Sequence, residues 1–224
     1  LLVEVRESRH AQFGELAVSN HLLDDADGLR AVMEAQGYLF FRALIDPDIV
    51  LQARHEILLK YAILGEVDDR HPIDDARAGD GHGVLTANLR AFSNSVRSGA
   101  SYLRVTDGPE VLAVHEALLD GDVRVFDMRW PRFVRPGEGC GFHCDGPYMN
   151  RGTSRIFSSW IPRGRVEPDE GALMLLEHSH RSDVLAAGYL DRDADLDGLT
   201  WLDDDPVAVQ HRYGGRWLTT GFRP

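Results

Sequence analysis

The residues best placed to do chemistry are His143 and Asp145. They lie in the run Gly137-Glu138-Gly139-Cys140-Gly141-Phe142-His143-Cys144-Asp145-Gly146-Pro147. On a strand, residues two apart point to the same face, so this imidazole and carboxylate would converge there. With a distal histidine such a pair makes the two-histidine, one-carboxylate facial triad, which binds non-haem Fe(II) and leaves positions open for co-reactants. The spacing alone leaves a plainer arrangement open, a strand-end histidine hydrogen-bonded to a turn aspartate. The glycine-rich approach and the Gly146-Pro147 turn place the pair at the mouth of a barrel.

Other polar clusters read more plainly. Gly79-Asp80-Gly81-His82-Gly83 is a flexible stretch, because no Lys-Ser/Thr follows it as a phosphate loop requires. Asp191, Asp193, Asp195 and Asp197 alternate as in a calcium loop, but the glycine and closing glutamate are not at the required spacing. Arg151 and Arg155 follow the His-x-Asp pair and would meet an anionic substrate or form ordinary surface ion pairs. Phe92, Tyr102 and Tyr148 are candidates for the walls of an entrance. His178, His180 and His211 lie in turn or polar contexts and read as structural or surface side chains rather than ligands.

The elements that must position these residues change character along the chain. Asp24-Asp25-Ala26-Asp27 caps a helix over about 28–36, and Gly37-Tyr38-Leu39-Phe40-Phe41-Arg42 reads as a short buried strand. Asp46-Pro47 opens a helix to about Leu64, with the acid as cap and proline at the first helical position. Residues 65–83 are a polar loop, 85–97 are ambiguous, and 109–119 form an amphipathic helix. From Asp122 the pattern alternates, giving strand candidates at 123–129, 132–134, 140–145, 155–161, 171–176 and 216–220, with glycine and proline between them. Residues 181–210 are an acidic excursion. Helices followed by a run of short strands predict a barrel or sandwich with helices packed on one side, in one domain over 1–224. Its helix-rich half is about 1–120 and its β-rich half about 121–224.

Composition narrows the partners. The formal charge is −12, from 36 acids against 24 bases, and Lys60 is the one lysine. That balance argues against a nucleic-acid binder, which needs a concentrated basic surface. No apolar run approaches the roughly 18 residues of a membrane span. The two cysteines, Cys140 and Cys144, make no disulfide framework and read as small buried or half-buried side chains. Without a signal-peptide pattern, the expected setting is the cytoplasm.

Downstream of the pair come Trp160-Ile161-Pro162 and Glu170-Gly171-Ala172-Leu173-Met174-Leu175-Leu176-Glu177-His178-Ser179-His180-Arg181. Taken with Gly37-Tyr38-Leu39-Phe40-Phe41, Asp46-Pro47 and His143-Cys144-Asp145, this order resembles the phytanoyl-CoA dioxygenase family of Fe(II)- and 2-oxoglutarate-dependent oxygenases. The resemblance covers about residues 28–224, with His178 where the family usually has glycine.

The resemblance implies a mainly β fold with packed helices around a double-stranded β-helix, a jelly-roll, cupin-like core. It also implies an oxidoreductase, a dioxygenase that hydroxylates or otherwise oxidises a small-molecule substrate with release of succinate and CO2. His143 and Asp145 would be catalytic iron ligands, Trp160 would line the 2-oxoglutarate pocket and Met128 its neighbouring wall. The cofactors implied are Fe(II), 2-oxoglutarate and O2. Asp145, a carboxylate where halogenating relatives carry a small residue, favours hydroxylation or another oxidation. The family places its distal iron histidine and its 2-oxoglutarate arginine beyond Gly215-Arg216-Trp217-Leu218-Thr219-Thr220. The sequence reaches Pro224 before either, so the last strands of the core are expected to be missing from the chain as written. The alternatives are a non-catalytic binding or structural protein that keeps the barrel, and a cupin-like metal enzyme that does not use 2-oxoglutarate.

Overall fold

Three aspartates set the helical frame. The Asp25 carboxylate accepts from the Gly28 N–H at 2.9 Å and starts α1 (Ala26–Gln36). Asp46 accepts from Asp48 N–H at 2.9 Å, with Pro47 as the first residue of α2 (Pro47–Ile63). Each cap satisfies an amide that the first helical turn leaves without a partner. Helices α3 (Val84–Arg97), α4 (Ala100–Thr106) and α5 (Pro109–Leu119) follow, then the short α6 (Gly146–Met149) and α7 (Asp183–Leu185). Asp205 repeats the device for α8 (Pro206–Tyr213), accepting from Val207 N–H at 2.9 Å. The computed structural model describes residues 13–222 except 82–83, 128, 133, 135–140, 150, 168–169 and 200, and the side chains of 84–89.

The helices are held by two apolar clusters. Leu58, Tyr61, Val67, Phe92, Val96 and Tyr102 join α2, α3 and α4, and the Tyr61 and Phe92 rings lie 4.5 Å apart. Ile45, Val50, Ala53, Val105 and Val111 join α2, α4 and α5. The ambiguous stretch at 85–97 is thus helix, and Phe92 and Val96, four apart on it, both reach the core.

The described strands are β1 (Phe13–Gly14), β2 (Leu175–Leu176) and β3 (Trp217–Leu218), in the order β1-β3-β2. β3 is central, parallel to β1 with Phe13 opposite Trp217, and antiparallel to β2 with Leu176 opposite Trp217. Around it pack Leu16, Phe40, Ala172, Leu218 and Phe222 on one side and Phe142, Met174, Val209 and Trp217 on the other.

This is not the expected mainly β jelly roll. Among the described residues the sheet has three strands of two residues each, and it is open. The candidates at 123–129, 132–134 and 155–161 carry no strand among their described residues, and 140–145 carries one isolated bridge, Phe142 to Asp203. The buried strand expected at 37–42 is reduced to a bridge between Phe40 and Val18. Alternation states which face a strand would bury, but a strand persists only on hydrogen-bonded neighbours. Among the described residues of 122–134 that condition fails: Pro131 lacks a donor, and Phe126 and Trp130, on one face of the alternation, are 53% and 63% exposed.

Gly37 locks α1 to the turn at His180. Its φ is +80°, the left-handed conformation that ends the helix, and a methyl built on its Cα would run into the His180 ring. The His180 Nε2 in turn lies 3.1 Å from the Glu34 carbonyl, and Arg181 donates to the same oxygen at 2.6 Å. Gly37→Ala is therefore expected to cost about 1–3 kcal/mol, combining a strained φ with a displaced ring. Urea denaturation followed by circular dichroism measures it, and Gly121→Ala, where nothing lies within 4 Å of the added carbon, is the control.

Candidate functional site

His143 is fixed by the backbone that precedes it. Its Nδ1 lies 2.9 Å from the Gly141 carbonyl oxygen, which only accepts, so Nδ1 carries the proton in that contact. The other nitrogen, Nε2, faces the Asp145 Oδ1 at 3.5 Å. A proton on Nε2 is donated to that carboxylate. The His143 ring, together with the Ser158 hydroxyl, holds the Asp145 carboxyl well below the usual carboxylate range, at about 2, against the opposing effect of burial. The His143 side chain is 11% exposed and that of Asp145 51%, so the pair sits at a mouth, with the ring inside and the carboxylate at the rim.

Local structure explains why the two meet without a regular strand. The Asp145 carbonyl accepts from the Tyr148 and Met149 amides at 3.0 and 3.1 Å, so the chain turns into α6 at the carboxylate. Phe142 is pinned on the other side: its N–H donates to the Asp203 carbonyl at 2.8 Å, and its carbonyl accepts from Leu202 N–H at 2.6 Å. Buried Tyr189 meets the Tyr148 hydroxyl and the Cys144 backbone, which fixes the segment between them. The rings of Tyr148 and Trp201 flank that of His143 at centroid distances of 6.0 and 6.1 Å.

Below the pair is a cavity of about 140 Å³, lined by Phe142, Met174, Leu176, Val209 and Trp217 among others, with Cys144 at its side. Phe142 and Trp217 stack with centroids 4.5 Å apart, and the Trp217 indole donates to the Pro206 carbonyl at 2.9 Å. The floor is therefore apolar, and among the described residues no Lys or Arg lines the cavity. Cys144 is a free thiol, pushed up to about 11 first by burial and then by the charge of Asp145.

The expected site is thus brought together in part. His143 and Asp145 share the cavity mouth. Trp160 lies elsewhere, edge-on to Phe222 at 4.6 Å in the cluster of Leu16, Phe40 and Ala172. Met128 lies outside the described residues. Arg151 is spent on an ion pair with Asp193 and on Asp195, 2.7 Å away, and so shapes the acidic loop. Phe142, Met174, Val209 and Trp217 were not singled out from the sequence. Their apolar types carry no chemical signal, and they come from segments far apart in the chain.

The iron centre does not assemble. His143 and Asp145 are one ligand short of a facial triad, and among the described residues no group of three His, Cys, Asp or Glu is placed to hold a metal ion. Fe(II), 2-oxoglutarate and O2 therefore have no site built for them among those residues. With them go the dioxygenase and oxidoreductase reading and the small-molecule substrate it was to oxidise. The two alternatives fail on the same findings, since one needs the barrel and the other the metal. Among the described residues no helix is long and apolar enough to cross a membrane.

No family model matches the chain. Over 168 residues it is 24% identical to the 1-deoxypentalenic acid 11-beta-hydroxylase of Streptomyces exfoliatus, a stretch that covers 71% of this chain and 56% of that protein. The chain thus spans little more than half the length of this curated relative. A likeness this weak and partial, set against a mostly helical fold with an open three-stranded sheet, does not sustain the resemblance to the phytanoyl-CoA dioxygenase family.

Proposed function

We propose that this protein holds a small, mainly apolar ligand in the cavity under His143 and Asp145, without transforming it. One observation carries the reading. With its Nδ1 committed to Gly141, the His143 ring turns its second nitrogen toward a carboxylate, and this pair opens over an apolar floor. The pair supplies direction and the floor supplies affinity, the usual division of labour in a small-molecule pocket. The volume suits the reading, since apolar cavities of about 150 Å³ take up benzene-sized guests.

Hexan-1-ol and hexylamine are suitable probes. Wild-type protein is expected to give saturable heats in calorimetric titration with at least one of them. Leu202→Trp, which fills the cavity from a half-buried wall position, is expected to abolish those heats while the far-ultraviolet circular dichroism is unchanged. Failure of the wild type to bind either probe, or equal binding by the filled variant, overturns the reading.

A further inference from the structure

We infer that the pocket selects a protonated amine, a ligand with an ammonium head and an apolar body; this rests on the binding reading above and names its ligand class. The Asp145 carboxylate stands half-exposed at the cavity mouth, its Oδ1 3.5 Å from the His143 Nε2, and a carboxylate only accepts. An ammonium brings three donors and a positive charge on one atom, so it pairs with that carboxylate. A hydroxyl has one proton to give and no charge. A carboxylate brings only further acceptors and a like charge.

The surroundings favour the same choice. Among the described residues no Lys or Arg lines the cavity. Arg212, over the ring of the lining residue Tyr213, is a nearby cation, and it sits at the exposed end of α8. Against it stand Asp203, whose backbone is paired with Phe142, and Asp204, whose carboxylate lies against Gly141. Both are exposed and both add negative potential at the mouth. The rings of Tyr148 and Trp201 flank that of His143 at the mouth.

The test compares three probes of equal chain length, hexylamine, hexan-1-ol and hexanoate, by calorimetric titration at pH 7 and one fixed salt concentration. The amine is expected to bind at least about tenfold more tightly than the alcohol and about a hundredfold more tightly than the acid, as charge-assisted bonds at a half-exposed mouth allow. In Asp145→Asn, whose fold is checked by circular dichroism, the amine-to-alcohol ratio is expected to fall to within about twofold. An alcohol or acid that binds as tightly as the amine, or a ratio that survives Asp145→Asn, overturns this inference and leaves the pocket reading standing. Absence of binding by all three overturns both.

Discussion

Trp217→Ala is expected to destabilise the protein by about 3–5 kcal/mol, a large share of the stability of an ordinary domain. Trp217 is fully buried on the central strand, where it pairs in register with Phe13 on one side and Leu176 on the other. Its ring stacks on Phe142 and its indole N–H donates to the Pro206 carbonyl. Removing it opens a void under the cavity and leaves the Pro206 carbonyl without that donor. The nearby Trp201, which is 49% exposed, is the contrast: Trp201→Ala is expected to cost about 1 kcal/mol or less, because it removes little buried area. Urea denaturation by tryptophan fluorescence and circular dichroism reads both. Equal losses in the two variants would contradict the assignment of Trp217 as the centre of this half of the fold.

The second large effect is kinetic. Cys144 is expected to react with iodoacetamide at pH 8 about a hundredfold more slowly than an ordinary exposed cysteine, since the thiolate is the nucleophile and little of it forms. Burial moves this thiol from 9.0 to about 11, and the Asp145 charge adds to the shift. The sign is fixed by the chemistry: a raised thiol is protonated through neutral pH, so its rate climbs about tenfold per pH unit until pH approaches that value. Asp145→Asn removes the charge and leaves the burial, so it is expected to raise the rate by about threefold and no further. Mass spectrometry of alkylated protein in a Cys140→Ser background follows Cys144 alone. A rate like that of a free thiol, or one unmoved by Asp145→Asn, would show that the side chain is not seated beside the carboxylate.

Short-range chemistry was legible in the sequence, and long-range pairing was not. Asp46-Pro47 announces a helix that begins at Pro47, and Pro109 announces α5, because a cap and a first-turn proline act within a few residues. The alternation after Asp122 failed because it carries no information about a partner. Among the described residues after Asp122, Leu175–Leu176 and Trp217–Leu218 pair as strands, and Phe126 and Trp130 are left exposed.

The candidate site divides in the same way. One-residue spacing brought His143 to Asp145, although through a turn into α6 rather than along a strand. The larger expectation built on the pair needed a third ligand and a barrel, and both depend on contacts between distant segments. The Gly141 carbonyl that fixes the His143 ring is a backbone atom, and no reading of side-chain types finds it. Met174, Val209 and Trp217 meet under that ring only because β3, α8 and the segment before β2 fold onto one another.

In the proposed complex the cavity under His143 and Asp145 takes the apolar body of a ligand while the pair holds its head. Intermolecular NOEs measure this most directly, recorded between hexylamine and protein carrying ¹³C-labelled methionine methyl groups, with Met174 assigned through Met174→Leu. Cross-peaks are expected from the ligand chain to the Met174 methyl and from the same bound ligand to the indole proton of Trp217. Saturable binding with no cross-peak to either residue would contradict this placement.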